Sequence, residues 1–174
     1  MRVGTFGLLA ALSVGFLPPA EAARVDLTPD GAWFDFVVGD VGDVWRSPLD
    51  GEAISFTLTS ALPFTLRLVD LGFAGDRVNV VAEGSGAIGT TSLVATDDAV
   101  FAFTPAEVLA SPGTWSQGDW FLDAGSYTFT GAAVASPFGG GAWAISAVAV
   151  PELETWALML AGLAAVGGMA RRRR

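Results

Sequence analysis

Twelve aspartates and no histidine, cysteine or lysine set the chemistry open to this sequence. Without cysteine there are no disulfides, thiolate metal sites or thiol nucleophiles. Without histidine there is no Ser-His-Asp triad, no imidazole base and no histidine-held zinc. Without lysine, Schiff-base and Ser-Lys chemistry are absent as well. Carboxylates and aromatic rings remain. Asp35, Asp40, Asp43, Asp50, Asp70, Asp76, Asp97, Asp98, Asp119 and Asp123 offer pairs of the kind a glycosidase holds about 5–10 Å apart. Most of them stand in turn contexts, where an Asp side chain bonds nearby backbone N–H groups. The chain therefore reads as non-catalytic. Calcium is a better use of the same oxygens, since it takes about six to eight of them. The spacing is not that of an EF-hand loop, but Asp70 with Asp76, or Asp40 with Asp43, could join an irregular loop site. No other cofactor is expected. Trp45, Trp115 and Trp120 lie near loops rather than within clean strand runs, the placement expected of a platform that stacks on sugar rings. Trp33 and Trp143 have strand-like neighbours and read as core.

The elements that must position these residues are strands. From Arg24 onward, short alternating runs are punctuated by Gly, Pro and Asp, the pattern of half-buried sheet. Ile54–Thr59 and Phe64–Val69 alternate cleanly, with Ile54, Phe56, Leu58, Phe64, Leu66 and Leu68 on the buried face. Across Ser60-Ala61-Leu62-Pro63 they are expected to form an antiparallel pair. Further strands are expected at Trp33–Val38, Arg77–Ala82, Thr91–Ala95, Val100–Thr104, Trp120–Leu122, Ser126–Gly131 and Trp143–Val150. Pro105–Leu109 is the one helical turn, with Thr104 as its cap, Pro at the first helical position and Glu107 at the third. Eight or nine strands at this spacing predict a single all-β sandwich over residues 23–149. Residues 23–150 carry 15 acidic side chains against 4 arginines, a net charge of about −11. That sign opposes nucleic acid and anionic lipid and favours solubility and cations.

Both ends read as handling signals. Residues 1–22 open with Arg2, run apolar through Val3–Leu17, break at Pro18-Pro19 and finish Ala20-Glu21-Ala22, a secretory signal peptide. Small residues at Ala20 and Ala22 suit signal peptidase cleavage before Ala23. At the other end, residues 150–174 comprise Pro151-Glu152, the uncharged run Thr155–Ala170 and Arg171, Arg172, Arg173 and Arg174. As a helix, 155–170 would rise roughly 24 Å, nearly enough for a bilayer core of about 30 Å. The arginines would hold the C-terminus on the cytoplasmic side.

The short Pro-Glu signature, apolar helix and terminal arginines together resemble the PEP-CTERM sorting tail of exported bacterial proteins. Pro151 and Glu152 match that family, while Leu153 stands where its second proline usually lies. The segments Val69–Val78 and Leu122–Phe129 also resemble stretches of single-domain proteins carrying this tail, which implies a jelly-roll-like sandwich. The resemblance implies processing by an exosortase-type membrane protease after a transient stay in the inner membrane. It further implies delivery to the cell surface or an extracellular matrix, with exopolysaccharide as a possible partner. A structural or adhesive role is expected, and a carbohydrate-binding module using the three tryptophans is the alternative.

Overall fold

The computed structural model describes residues 22–150. Within them the alternating runs become eleven strands: β1 (Ala23–Asp26), β2 (Asp30–Val38), β3 (Ile54–Ser60), β4 (Phe64–Ala74), β5 (Arg77–Ala82), β6 (Gly86–Thr90), β7 (Asp97–Ala102), β8 (Gln117–Leu122), β9 (Gly125–Thr130), β10 (Ala133–Ala135) and β11 (Gly141–Ala149). A single helix, α1 (Pro105–Ala110), lies between β7 and β8. One sheet has the order β1-β3-β9-β5-β10, with β6 also on β5. The other has the order β2-β11-β4-β7, with β8 also on β4. The architecture is a β-sandwich. Among the described residues no helix is long and apolar enough to cross a membrane. The expected leader and tail helices lie outside those residues, apart from Ala22 and Val150 at the two seams.

The core sits between the sheets. The inward positions anticipated on β3 and β4 are all buried: Ile54, Phe56, Leu58, Phe64, Leu66 and Leu68. They meet Phe36, Trp45, Phe129, Trp143 and Ile145, and Phe36 is the hub, with ring centroids 4.5 Å from Trp45, 5.8 Å from Phe56 and 6.3 Å from Trp143. Side chains alternate across a strand, so Val69, Leu71 and Ala144 point to the opposite face of the second sheet. There α1 and the segment after it cover them with Val108 and Trp115. β4 and β11 are thereby buried on both faces through their middles, as central strands of a covered sheet are.

The structure departs from the expected hairpin. β3 and β4 are consecutive but lie in different sheets, and the link after Ser60 crosses the sandwich instead of turning along one sheet. Ser60 Oγ donates to the carbonyl of Leu62 at 2.6 Å, which tightens the arch. Both edges of β4 are already taken, by β11 on one side and by β8 and then β7 on the other. The matching apolar faces therefore meet across the core. Thr91–Ala95 is a connecting segment, not a strand; the strand there is β6, just before it. The strand expected at Val100–Thr104 lies earlier, as β7 at Asp97–Ala102, and Thr104 caps α1 instead. The cap itself is as expected. Thr104 Oγ1 accepts from the Glu107 N–H, and the Glu107 carboxylate accepts from the Thr104 N–H. The bonds from Phe103 and Thr104 hold Glu107 below the usual carboxylate range.

Candidate functional site

β4 leaves one sheet at Ala74 and β5 enters the other at Arg77, so the chain changes sheets across Gly75 and Asp76 alone. Gly75 has φ +130°, and a Cβ there would press on Thr96 at 3.0 Å and Pro137 at 3.1 Å. Only glycine takes that corner without strain. Asp70 shares the parity of Leu66 and Leu68 on β4, so its carboxylate enters the space between the sheets, and Asp76 turns in from the corner beside it. Asp70 is 0% exposed and Asp76 2%. Neither oxygen of Asp70 has a hydrogen-bond partner, nor does Oδ1 of Asp76, nor the buried hydroxyl of Ser136. Gly141, which opens β11, leaves room for this pair, since a Cβ there would run into the Asp76 carboxylate.

The electrostatics follow from burial. Loss of solvent, then repulsion from Asp76, pushes Asp70 up to about 9. The N–H groups of Gly75, Ser116 and Asp76 are turned toward Asp70 and pull the other way, without completing a hydrogen bond. Burial pushes Asp76 up to about 6, opposed by the nearby Ser136 hydroxyl. Such a pair can hold a proton or a cation, but a substrate bond cannot reach Asp70. Among the described residues no group of three or more His, Cys, Asp or Glu side chains gathers. Whatever this pair holds, further oxygens must come from hydroxyl, backbone or water.

The other acids stay local. Asp40 and Asp43 form a turn in which the Asp43 carboxylate accepts from the Asp40 N–H at 3.1 Å. Asp30, Asp50 and Asp97 each accept from the N–H two residues on. These bonds lower the pKa of Asp30 and Asp50. Asp119 pairs with Arg67 at 3.0 Å across β8 and β4.

The expected sugar platform of Trp45, Trp115 and Trp120 is not formed. Trp45 is 1% exposed in the central core and Trp115 is buried in the outer cluster, where its Nε1 donates to the Gly72 carbonyl at 3.0 Å. Trp120 is half-buried. Glycines are the physical reason. A Cβ at Gly131 would strike the Trp45 ring, and Cβ atoms at Gly118 or Gly89 would strike Trp120, so bare backbone forms the seat of each indole. Sequence reading missed a different aromatic surface. Phe73, Phe101, Phe103 and Phe138 are exposed and contiguous, with ring centroids 5.1 Å apart for Phe73 and Phe101, 5.4 Å for Phe73 and Phe138, and 4.6 Å for Phe101 and Phe103. Phe101 and Phe103 at alternate positions near the end of β7 were the available signal.

Of the processing residues, Ala22 and Ala23 are described. Ala23 opens β1, and its N–H donates to the Ala53 carbonyl at 2.7 Å. Ala20, Pro151, Glu152, Arg171, Arg172, Arg173 and Arg174 lie outside the described residues.

The fold and site together define a two-sheet β-sandwich with a buried carboxylate pair at one corner. No family model matches the chain, and no curated protein matches it. Among solved structures it is similar to the pre-peptidase C-terminal domain of collagenase from Bacillus anthracis. That similarity has 14% identity over 76% of this chain and 99% of the other, with a TM-score of 0.40. At that level it carries no inference about what this chain binds or does.

Proposed function

We propose that this chain is an exported, non-catalytic surface or extracellular-matrix protein, a jelly-roll-like passenger delivered by a PEP-CTERM-like C-terminal tail. The observation that carries the reading is where the sandwich closes. β11 is flanked by β2 and β4 and ends at Ala149, and the Val150 N–H donates to the Pro63 carbonyl at 2.8 Å. Pro151-Glu152 follows at once. The sandwich thus completes its sheets before the sorting signature begins, the order that cleavage at that seam by an exosortase-type protease requires, with the arginines to hold the far end at the cytoplasmic side. Signal peptidase acts at the other seam, before Ala23. The role of the passenger is structural or adhesive, with the exposed phenylalanine face as the surface that meets the matrix.

Fractionation with immunoblotting separates the two parts of the proposal. Replacing Arg171–Arg174 together by serine should leave precursor in place of processed protein. Replacing Phe101 and Phe103 by serine should leave processing intact and move processed protein from the matrix fraction into the medium. Unchanged bands in the first variant would refute the role of the tail charges. Unchanged partition in the second would refute the role of the phenylalanines.

A further inference from the structure

The buried corner between β4 and β5 holds two carboxylates, and among the described residues no cationic side chain pairs with either. Arg67 pairs instead with Asp119, and Arg77 donates to the Thr91 carbonyl. Asp70 is fully enclosed, with both its oxygens unpartnered, and Asp76 is close enough to repel its charge. Ser136 adds a third side chain whose buried oxygen has no partner. Buried ionised carboxylates without partners are costly, so the group that belongs here carries positive charge and accepts several oxygen ligands. A proton shared by the two acids would cancel one charge and leave most of the orphan oxygens unsatisfied.

We propose that this corner is a calcium site, with the carboxylates of Asp70 and Asp76 and the hydroxyl of Ser136 as its side-chain ligands. Two carboxylates match the charge of a divalent ion, and their four oxygens with the hydroxyl provide up to five ligands. Calcium takes about six to eight in flexible geometry, and backbone carbonyls or water complete the set. Magnesium demands a near-ideal octahedron and keeps its water, and zinc favours the nitrogen and sulfur ligands that this chain's missing histidine and cysteine would supply. A shallow depression lined by Gly75, Arg77, Ser136 and Pro137 lies beside the corner. Gly141 keeps the Asp76 carboxylate in place by carrying no side chain against it. The bound ion ties the β4–β5 corner, which joins the two sheets, to the segment that leads into β11.

The test is a thermal melt of the full chain purified in detergent, stripped with EGTA and then titrated with calcium or magnesium chloride. Millimolar calcium should raise Tm by roughly 5 °C or more and saturate at one ion per chain, with a much smaller shift for magnesium. Asp70→Asn should abolish the calcium shift, and Ser136→Ala should raise the calcium concentration needed for it several-fold. In EGTA near neutral pH, Asp70→Asn should melt no lower than the parent, because the amide is as neutral as the protonated acid that an enclosed site favours without calcium. No calcium shift in the parent, an equal shift with magnesium, or a shift that survives in Asp70→Asn would overturn the proposal. If Asp70→Asn does not fold, the parent titration and Ser136→Ala still decide it.

Discussion

Truncating Phe56 to alanine should cost about 3–5 kcal/mol, whereas Thr57→Ala, one residue along the same strand, should cost no more than about 1 kcal/mol. Phe56 is fully buried, packs on Phe36 and Trp45, and sits opposite Phe129 in the β3–β9 ladder. Removing the ring forfeits its transfer free energy and leaves a cavity among rigid aromatic neighbours that cannot close around it. Thr57 points the other way, half-buried beside β1, and its hydroxyl donates to the Asp26 carboxylate at the sheet margin. The larger loss is a big share of a domain's usual stability of about 5–15 kcal/mol. Urea melts of residues 23–150 read both. Equal losses, or a larger one for Thr57→Ala, would mean that β3 does not have this register.

In the presence of chelator, domain stability should fall as pH rises from about 5 to 9, the reverse of ordinary acid denaturation. Asp70 and Asp76 are both raised above the ordinary aspartate range, to about 9 and about 6. Each binds its proton more tightly in the folded state than in the unfolded chain. Their contribution is therefore complete below about pH 4 and is lost as pH climbs, through both groups up to about pH 6 and through Asp70 alone from there to about 9. Within its window each group removes about 1.4 kcal/mol per pH unit. Asp30, Asp50 and Glu107 are shifted the other way, and their contributions disappear only as pH falls through the acid range, so the two effects do not overlap. Urea midpoints at half-unit steps would show the decline, and Asp70→Asn should flatten it above pH 6. A midpoint that is level or rising between pH 6 and 8 would contradict the buried pair.

What could be read from the sequence was what short-range periodicity encodes. The alternation at 54–59 and 64–68 identified both inward faces, and the cap at Thr104 located α1, because each depends on residues within one element. Strand partners depend on which edges are free. The edges of β4 are occupied by β11, β8 and β7, all distant in sequence, so neighbouring β3 was pushed to the other sheet. The tryptophans show the same limit. Gly118, on the same face as Trp120 and two residues before it, was a visible sign of a flat seat, but Gly89 and Gly131 lie far from the indoles they receive. Asp70 was legible in a different way. A charged residue at an inward parity, between Val69 and Leu71 and six positions from Asp76, breaks the apolar pattern where a sandwich least tolerates it. Only the fold shows that both carboxylates turn inward at the same corner.

The reading of this chain as a sorted passenger turns on one seam, and intact-mass analysis of protein recovered from the surface fraction tests it most directly. A chain that begins at Ala23 and ends between Val150 and Glu154, without Arg171–Arg174, is the predicted result. Surface protein that still carries the four arginines would contradict it.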